Sequence, residues 1–198
     1  LAVYAKQTFL RSAIDEDLDF TVLLPWNGSG YGSTKEREEF TFDIHAMQRI
    51  GISLQGLVTK NPYLIAGYMG SAKDLMVMND EEDVRTISQR DGFVPSKRSW
   101  FIDAVKAKKT IWTQPYVDVV TGELVVTCAT PVYNDAKELL GVAGFDVLLD
   151  TIIKDIISLD IGYDSNAFLV GNDGGLLAKP DMDKVNANWN EAVETDNL

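Results

Sequence analysis

Seven side chains between residues 93 and 146 have the types and spacing to hold a small charged molecule. Arg98 and Trp100 stand two apart at a loop-to-helix junction, with Phe93 before them and Phe101 after. Arginine offers a planar fork that grips a carboxylate through two parallel hydrogen bonds. Trp100 and Phe101 offer apolar walls or a face for a cation. Tyr116 and Asp118, two apart in an extended stretch, share one face of a strand. Asp146 ends a further apolar run. One arginine facing two carboxylates suits a zwitterion, with its carboxylate on Arg98 and its ammonium on the acids and aromatic rings. The same residues also permit a plainer arrangement: Arg98 pairs internally with Asp118 or Asp146, and Trp100 and Tyr116 are core.

Other chemistry finds little support. There is no glycine-rich nucleotide loop of either common type. The one histidine, His45, lies in an acidic helical stretch with no nucleophile elbow to serve, and reads as a surface or half-buried residue. The one cysteine, Cys128, excludes an internal disulfide or a multi-cysteine metal site, and its apolar setting reads as a small buried hydrophobe. Asp80-Glu81-Glu82-Asp83 lacks the spacing of a calcium loop and reads as a solvated face. No metal and no cofactor are expected.

The elements that must carry the seven side chains can be read from periodicity. Residues 1–16 have a helical pattern, 19–25 an extended one, and 28–34 are turn-rich. Phe40, Ile44, Met47, Ile50 and Leu54 form one apolar stripe, predicting a helix over about 35–59, with Ser33 or Thr34 available as its cap. Asn61-Pro62 ends it. A hairpin follows, with strands at 63–69 and 75–78, then a polar loop over 80–91 and a helix over 96–109. Three strands come next, at 111–119, 124–133 and 139–147, with Gly141 and Gly144 allowing close approach. A helix over about 149–158 leads to a last hairpin turned at Asn172-Asp-Gly-Gly175. Strands joined in sequence by short turns, with helices beside them, give an α+β fold with an antiparallel sheet.

Charge narrows the partners. The chain has 198 residues, 30 of them acidic and 18 Lys or Arg, for a formal charge of −12. That excludes binding to a phosphate backbone, which needs clustered cations, so no nucleic acid is expected as a partner. No run of about 18 apolar residues occurs. The chain begins at Leu1 without a signal-peptide pattern, as expected of a piece of a longer protein.

The segment 60–178 resembles double Cache sensor domains, the extracytoplasmic parts of bacterial chemoreceptors and sensor kinases. The most specific part is the helix and three-strand meander ending in Gly141-Val-Ala-Gly-Phe-Asp146. Phe168-Leu-Val-Gly-Asn-Asp-Gly-Gly-Leu-Leu-Ala-Lys-Pro180 resembles the opening hairpin of a second such module. In the branch that senses amino acids and amines, an Arg-x-Trp-aromatic motif is followed by Tyr-x-Asp and then Asp. Those positions are filled here by Arg98, Trp100 and Phe101, by Tyr116 and Asp118, and by Asp146. The resemblance implies that Arg98 and Trp100 hold the ligand carboxylate and Asp146 the amino group, with Tyr116 and Asp118 lining the same pocket.

Departures from the pattern matter. Phe93 stands where a tyrosine is usual, and Phe101 lacks a hydroxyl often found there. Each absent hydroxyl removes a hydrogen bond worth about 1 kcal/mol net. Pro25 and Gly28-Ser-Gly30 interrupt the long first helix usual in the family, and the stretch after Asp150 is short for a complete second module. The resemblance implies a helical region over 1–59, a PAS-like membrane-distal Cache module over 60–150 that binds the ligand, and a linker helix with a smaller or incomplete membrane-proximal module over 151–198. It implies a periplasmic sensor, not an enzyme. Its partners would be a small amino acid or amine, the cytoplasmic signalling domains of the same polypeptide, and a second copy in a homodimer. Two other readings stand beside it: a non-binding spacer or dimerisation module, and a hydrolase using Asp118 and Asp146 as acid and base.

Overall fold

The computed structural model describes residues 20–26, 38–154, 169–170 and 176–178. The 28–34 turn, the 172–175 turn, the Ser33 or Thr34 cap, the 1–16 helix and the helical turns beyond residue 154 lie outside the described residues.

The first long element is α1, Thr41–Lys60. Met47 and Leu54 of its apolar stripe are buried, as is Gly51, and Phe40, Ile44 and Ile50 pack beside them. They meet Met69, Leu75 and Val77 of the hairpin formed by β1 (Ala66–Ser71) and β2 (Met76–Met78). Burying each such large side chain contributes about 1.5–3 kcal/mol, so α1 is fixed to one face of the sheet by packing rather than by capping. Its N-cap, Phe40, makes no side-chain bond. The extended stretch before α1 pairs with the outer edge of β2, where Leu23 and Met76 exchange backbone bonds of 2.8 and 3.0 Å.

The polar segment after β2 is a helix, α2 (Glu81–Ser88), where a loop is the sequence expectation. Asp80 caps it, its carboxylate accepting from the Glu82 backbone N–H at 2.9 Å. The three acids that follow sit in the first turn, where the helix dipole favours negative charge. Val84 and Ile87, three apart, anchor its inner face. A 3-10 turn at Pro95–Lys97 then leads into α3 (Ser99–Ala107), which ends at Lys108 in the left-handed region, φ 54°.

The stretch 111–119 is not one strand. β3 (Ile111–Trp112) and β4 (Tyr116–Val117) both pair with β5 (Leu124–Tyr133), but in different registers. Four residues lead from Trp112 to Tyr116, against three from Cys128 to Val125 on the partner. Pro115 in this gap has no N–H to give the ladder, so the extra residue forms a bulge. The bulge reverses the alternation. Trp112 points away from the sheet's inner face and is half exposed, while Tyr116 turns in and is buried.

β6 (Leu139–Leu148) runs back along β5 and pairs with β1 on its other side, giving the antiparallel order β2-β1-β6-β5-β3, with β4 also on β5. A Cβ at Gly141 would collide with the Gly70 carbonyl, which fits the close approach expected there. A short helix, α4 (Leu149–Ile152), follows, and β7 (Leu169–Val170) pairs with β8 (Leu176–Ala178). The α+β architecture with an antiparallel sheet is as the sequence implied. α1 covers one face; α2, the 3-10 turn and α3 cover the other. Cys128 lies on the α1 side and is half-buried rather than enclosed.

Candidate functional site

Asp146 is the most deeply buried of the predicted site residues, with 2% of its surface exposed. It lies on β6 opposite Ala66 of β1 and Thr127 of β5. Its Oδ1 accepts from the Thr127 hydroxyl at 2.6 Å and the Tyr68 hydroxyl at 2.8 Å. Thr127 has spent its one proton on Asp146, so its 2.7 Å contact with the Tyr116 hydroxyl must be donated by Tyr116. A relay therefore runs Tyr116 to Thr127 to Asp146. Among the described residues, no hydrogen bond reaches Asp146 Oδ2.

Burial sets the electrostatics. It pushes the Asp146 carboxyl up to about 7, the Thr127 and Tyr68 hydroxyls pull it part of the way back, and Asp118 and Asp83 push it further up. No cation is among these influences. The Tyr68 and Tyr116 hydroxyls are held well above their ordinary range, first by burial and then by the charge of Asp146, so both stay protonated donors.

Arg98 enters from the opposite side, where it forms the N-cap of α3 just after the 3-10 turn. It is 9% exposed, and its guanidinium carbon lies 5.4 Å from the centre of the Phe93 ring. Phe93 thus gives Arg98 a cation–π platform in place of a hydroxyl. Trp100 is buried against Tyr68, ring centres 4.9 Å apart, and against Phe101 at 5.7 Å.

Asp118 follows β4 at the start of a turn. Its Oδ2 accepts from the Thr121 backbone N–H at 2.7 Å and the Thr121 hydroxyl at 2.8 Å, so it fastens the turn as well as facing the interior. Asp83 of α2 is near enough to feel it. Burial, then Asp80, Asp118 and Glu82, raise Asp83 to about 6. The acidic run 80–83 is therefore only partly the solvated face expected: Asp83 turns inward.

These groups surround a cavity of about 290 Å³, part of it open to solvent. Six of the seven predicted residues line it: Phe93, Arg98, Trp100, Tyr116, Asp118 and Asp146. Phe101 does not; it packs behind Trp100 in the core. Sequence reasoning missed Tyr68, Met76, Met78, Ile87, Val119 and Val120 on the walls, and Thr127 behind them. Thr127 had only part of a signal. The Asn134–Glu138 turn, with Tyr133 opposite Leu139, would by itself put residue 127 opposite Phe145; an irregularity between Val132 and Tyr133 shifts the register by one residue and puts it opposite Asp146. Tyr68 and the methionines had none, because nothing local says that β1 lies beside β6. Among the described residues no cluster of three or more His, Cys, Asp and Glu side chains could hold a metal, and no helix is long and apolar enough to cross a membrane.

Residues 40–154 match the methyl-accepting chemotaxis protein-like first PDC sensor domain. The methyl-accepting chemotaxis protein McpA of Pseudomonas putida is 36% identical over 156 residues, covering 76% of this chain and 23% of that protein. The chain thus spans about a quarter of the length of this relative. Among solved structures, the ligand-binding domain of the Pseudomonas aeruginosa amino acid chemoreceptor PctB, in complex with L-Arg, is similar with a TM-score of 0.54 and 26% identity, covering 74% of this chain and 65% of that one. The ligand-binding domain of the Pseudomonas fluorescens chemoreceptor CtaA, in complex with L-valine, gives 0.53 and 25%, covering 74% and 68%. The match over 40–154 takes in more than half the chain, including the whole sheet from β1 to β6 and the cavity on its inner face, and the chain belongs to the methyl-accepting chemotaxis protein-like PDC sensor-domain family.

Proposed function

We propose that this chain is the extracytoplasmic ligand-binding part of a transmembrane chemoreceptor, and that it binds an amino acid in the cavity between α3 and the sheet. The observation that carries the reading is Asp146, a fully buried carboxylate with Oδ2 unbonded among the described residues, on the wall of a cavity that also holds Arg98. Leaving a charge buried without a counter-charge is strongly unfavourable. A ligand ammonium supplies the counter-charge, and Arg98 takes the ligand carboxylate through its fork. A carboxylate without an amine leaves Asp146 uncompensated; a polyamine gives Arg98 nothing to hold. A zwitterion serves both. The PctB and CtaA domains, described in complex with L-Arg and L-valine, support the same class.

Within this reading residues 60–150 form the binding module, 1–59 the helical region and 151–198 the link toward the membrane. The output domain lies in the same polypeptide, and the receptor works as a homodimer without turnover of its ligand. Signalling follows from the two-faced hairpin. Tyr68, Met76 and Met78 face the cavity, while Met69 and Val77 between them pack on α1. A ligand that draws α3 and β1–β2 together shifts the packing of α1 and so the population of its positions.

The test is calorimetry on the chain with a panel of proteinogenic amino acids and simple amines. A binder is expected, and Asp146→Ala abolishes the heat. A panel without any binder, with the melting temperature unmoved throughout, refutes the reading in favour of a spacer module.

A further inference from the structure

The ends of the cavity differ in kind. Arg98, Asp118 and Asp146 hold its charge, and these are the groups a zwitterion's two ends require. Four aromatic side chains, Tyr68, Phe93, Trp100 and Tyr116, also line it, and the rest of the wall comes from three separate elements: Met76 and Met78 of β2, Ile87 of α2, and Val119 and Val120 from the turn after β4. These last five are aliphatic. Met76, Met78 and Ile87 are each 3% exposed or less, so this wall is firm packing rather than solvated surface. It presents neither a hydrogen-bond donor nor an acceptor to a side chain laid against it. Asp118, next in the chain to Val119, already has Oδ2 committed to Thr121.

Building on the amino-acid reading, we propose that the site selects amino acids with aliphatic side chains, with the wall formed by Met76, Met78, Ile87, Val119 and Val120 as its side-chain compartment. An acidic side chain in this compartment would meet Asp118 and Asp146 with no cation besides Arg98 among the described residues of the cavity wall, and Arg98 serves the main-chain carboxylate. A lysine side chain would give up the hydration of its ammonium against methyl and thioether groups that return nothing. A leucine or methionine side chain gains by the area it removes from water. The two methionines are unbranched and adapt to shape, so selection is for a class of side chain and not for one residue.

Calorimetry with glycine, L-leucine, L-methionine, L-lysine and L-glutamate tests this. Leucine and methionine are expected to bind at least about tenfold more tightly than glycine, and lysine and glutamate more weakly than leucine. Val119→Asp, at a half-buried position in a turn, and Met78→Ala in the wall are expected to lower leucine affinity more than glycine affinity. Glycine binding as tightly as leucine, lysine or glutamate binding more tightly, or both variants losing leucine and glycine equally, overturns the compartment while leaving an amino-acid site standing. No heat and no melting shift with any of the five overturns the compartment and the amino-acid reading together.

Discussion

Tyr68 and Gly144 stand directly opposite each other on β1 and β6, and the tyrosine ring occupies the space that a side chain at residue 144 would fill. This lets the ring lie flat along β6, with its hydroxyl 2.8 Å from Asp146, two residues further along that strand. Gly144→Ala pushes a methyl group into the ring. Overpacking of this kind destabilises by about 1–3 kcal/mol. Thermal unfolding should show the loss, and the loss should shrink when the same change is made in a Tyr68→Ala background. Equal losses in both backgrounds would show that the ring is not what glycine accommodates.

Thr127→Val removes one of the two donors to Asp146 and leaves the buried Tyr116 hydroxyl without its acceptor at residue 127. A buried polar group stripped of a partner is destabilised by about 1–3 kcal/mol. The Thr127 hydroxyl holds the Asp146 carboxyl down, so its removal raises the titration midpoint of Asp146 above about 7. Carboxyl chemical shifts followed across pH report that midpoint; a midpoint that stays put or falls contradicts the relay.

The fold and the charged groups of the site were legible for a common reason: both are local. The β5–β6 meander follows from two apolar runs around Asn134–Glu138, where the Asn134 side chain accepts from the Glu138 N–H at 2.8 Å. Arg98, Trp100, Tyr116, Asp118 and Asp146 were picked out by residue type, short spacing and the resemblance to the sensor-domain motif, and they line one cavity. What escaped depends on neighbours distant in the chain. Tyr68 reaches Asp146 because β1 pairs with β6, across 78 residues. Phe101 looks like a ligand contact beside Trp100, yet Trp100 stands between it and the cavity. α2 escaped because its run of acids hid the three-residue spacing of Val84 and Ile87. In 111–119, period-2 alternation would have put Trp112 and Tyr116 on one face, and the bulge at Pro115 separates them.

Arg98→Lys keeps the charge and loses the fork. With Phe93 beneath it, the guanidinium gains from ring stacking that an ammonium reproduces poorly. Affinity for the bound amino acid is expected to fall about 10- to 100-fold, as for a lost charge-assisted hydrogen bond of about 1.5–3 kcal/mol. Calorimetry of the variant measures it, and an unchanged affinity would remove Arg98 from the carboxylate site.

Asp146 makes stability depend on pH in an unusual direction. Its carboxyl titrates near 7 in the folded chain and near 4 in the unfolded one, because burial disfavours its charged form. Below about pH 4 it is protonated in both states and carries no penalty. As pH rises through 7 the folded chain has to ionise it, and the penalty becomes complete. Asp146→Asn removes that penalty. The variant should therefore gain stability relative to the parent chain between pH 5 and 8, measured as the difference in urea midpoints at matched pH. A difference that stays constant across that range would mean that Asp146 ionises as easily folded as unfolded.

The same titration couples ligand to proton. An ammonium pairs with the ionised carboxylate, so binding must first remove the proton that Asp146 carries on much of the population at neutral pH. Asp83, raised to about 6 from its place on α2, adds to the negative charge as it ionises. The ligand's own ammonium and carboxylate keep their charges between pH 5.5 and 8, so the dependence is read on these two acids. Affinity is expected to rise about tenfold per pH unit below the Asp146 midpoint and to level off above it. Calorimetry at pH 6.5 in two buffers of different ionisation enthalpy should show net proton release on binding, and Asp83→Asn should leave most of that release in place. Proton uptake, or an affinity flat from pH 5.5 to 8, would place the ammonium somewhere other than on Asp146.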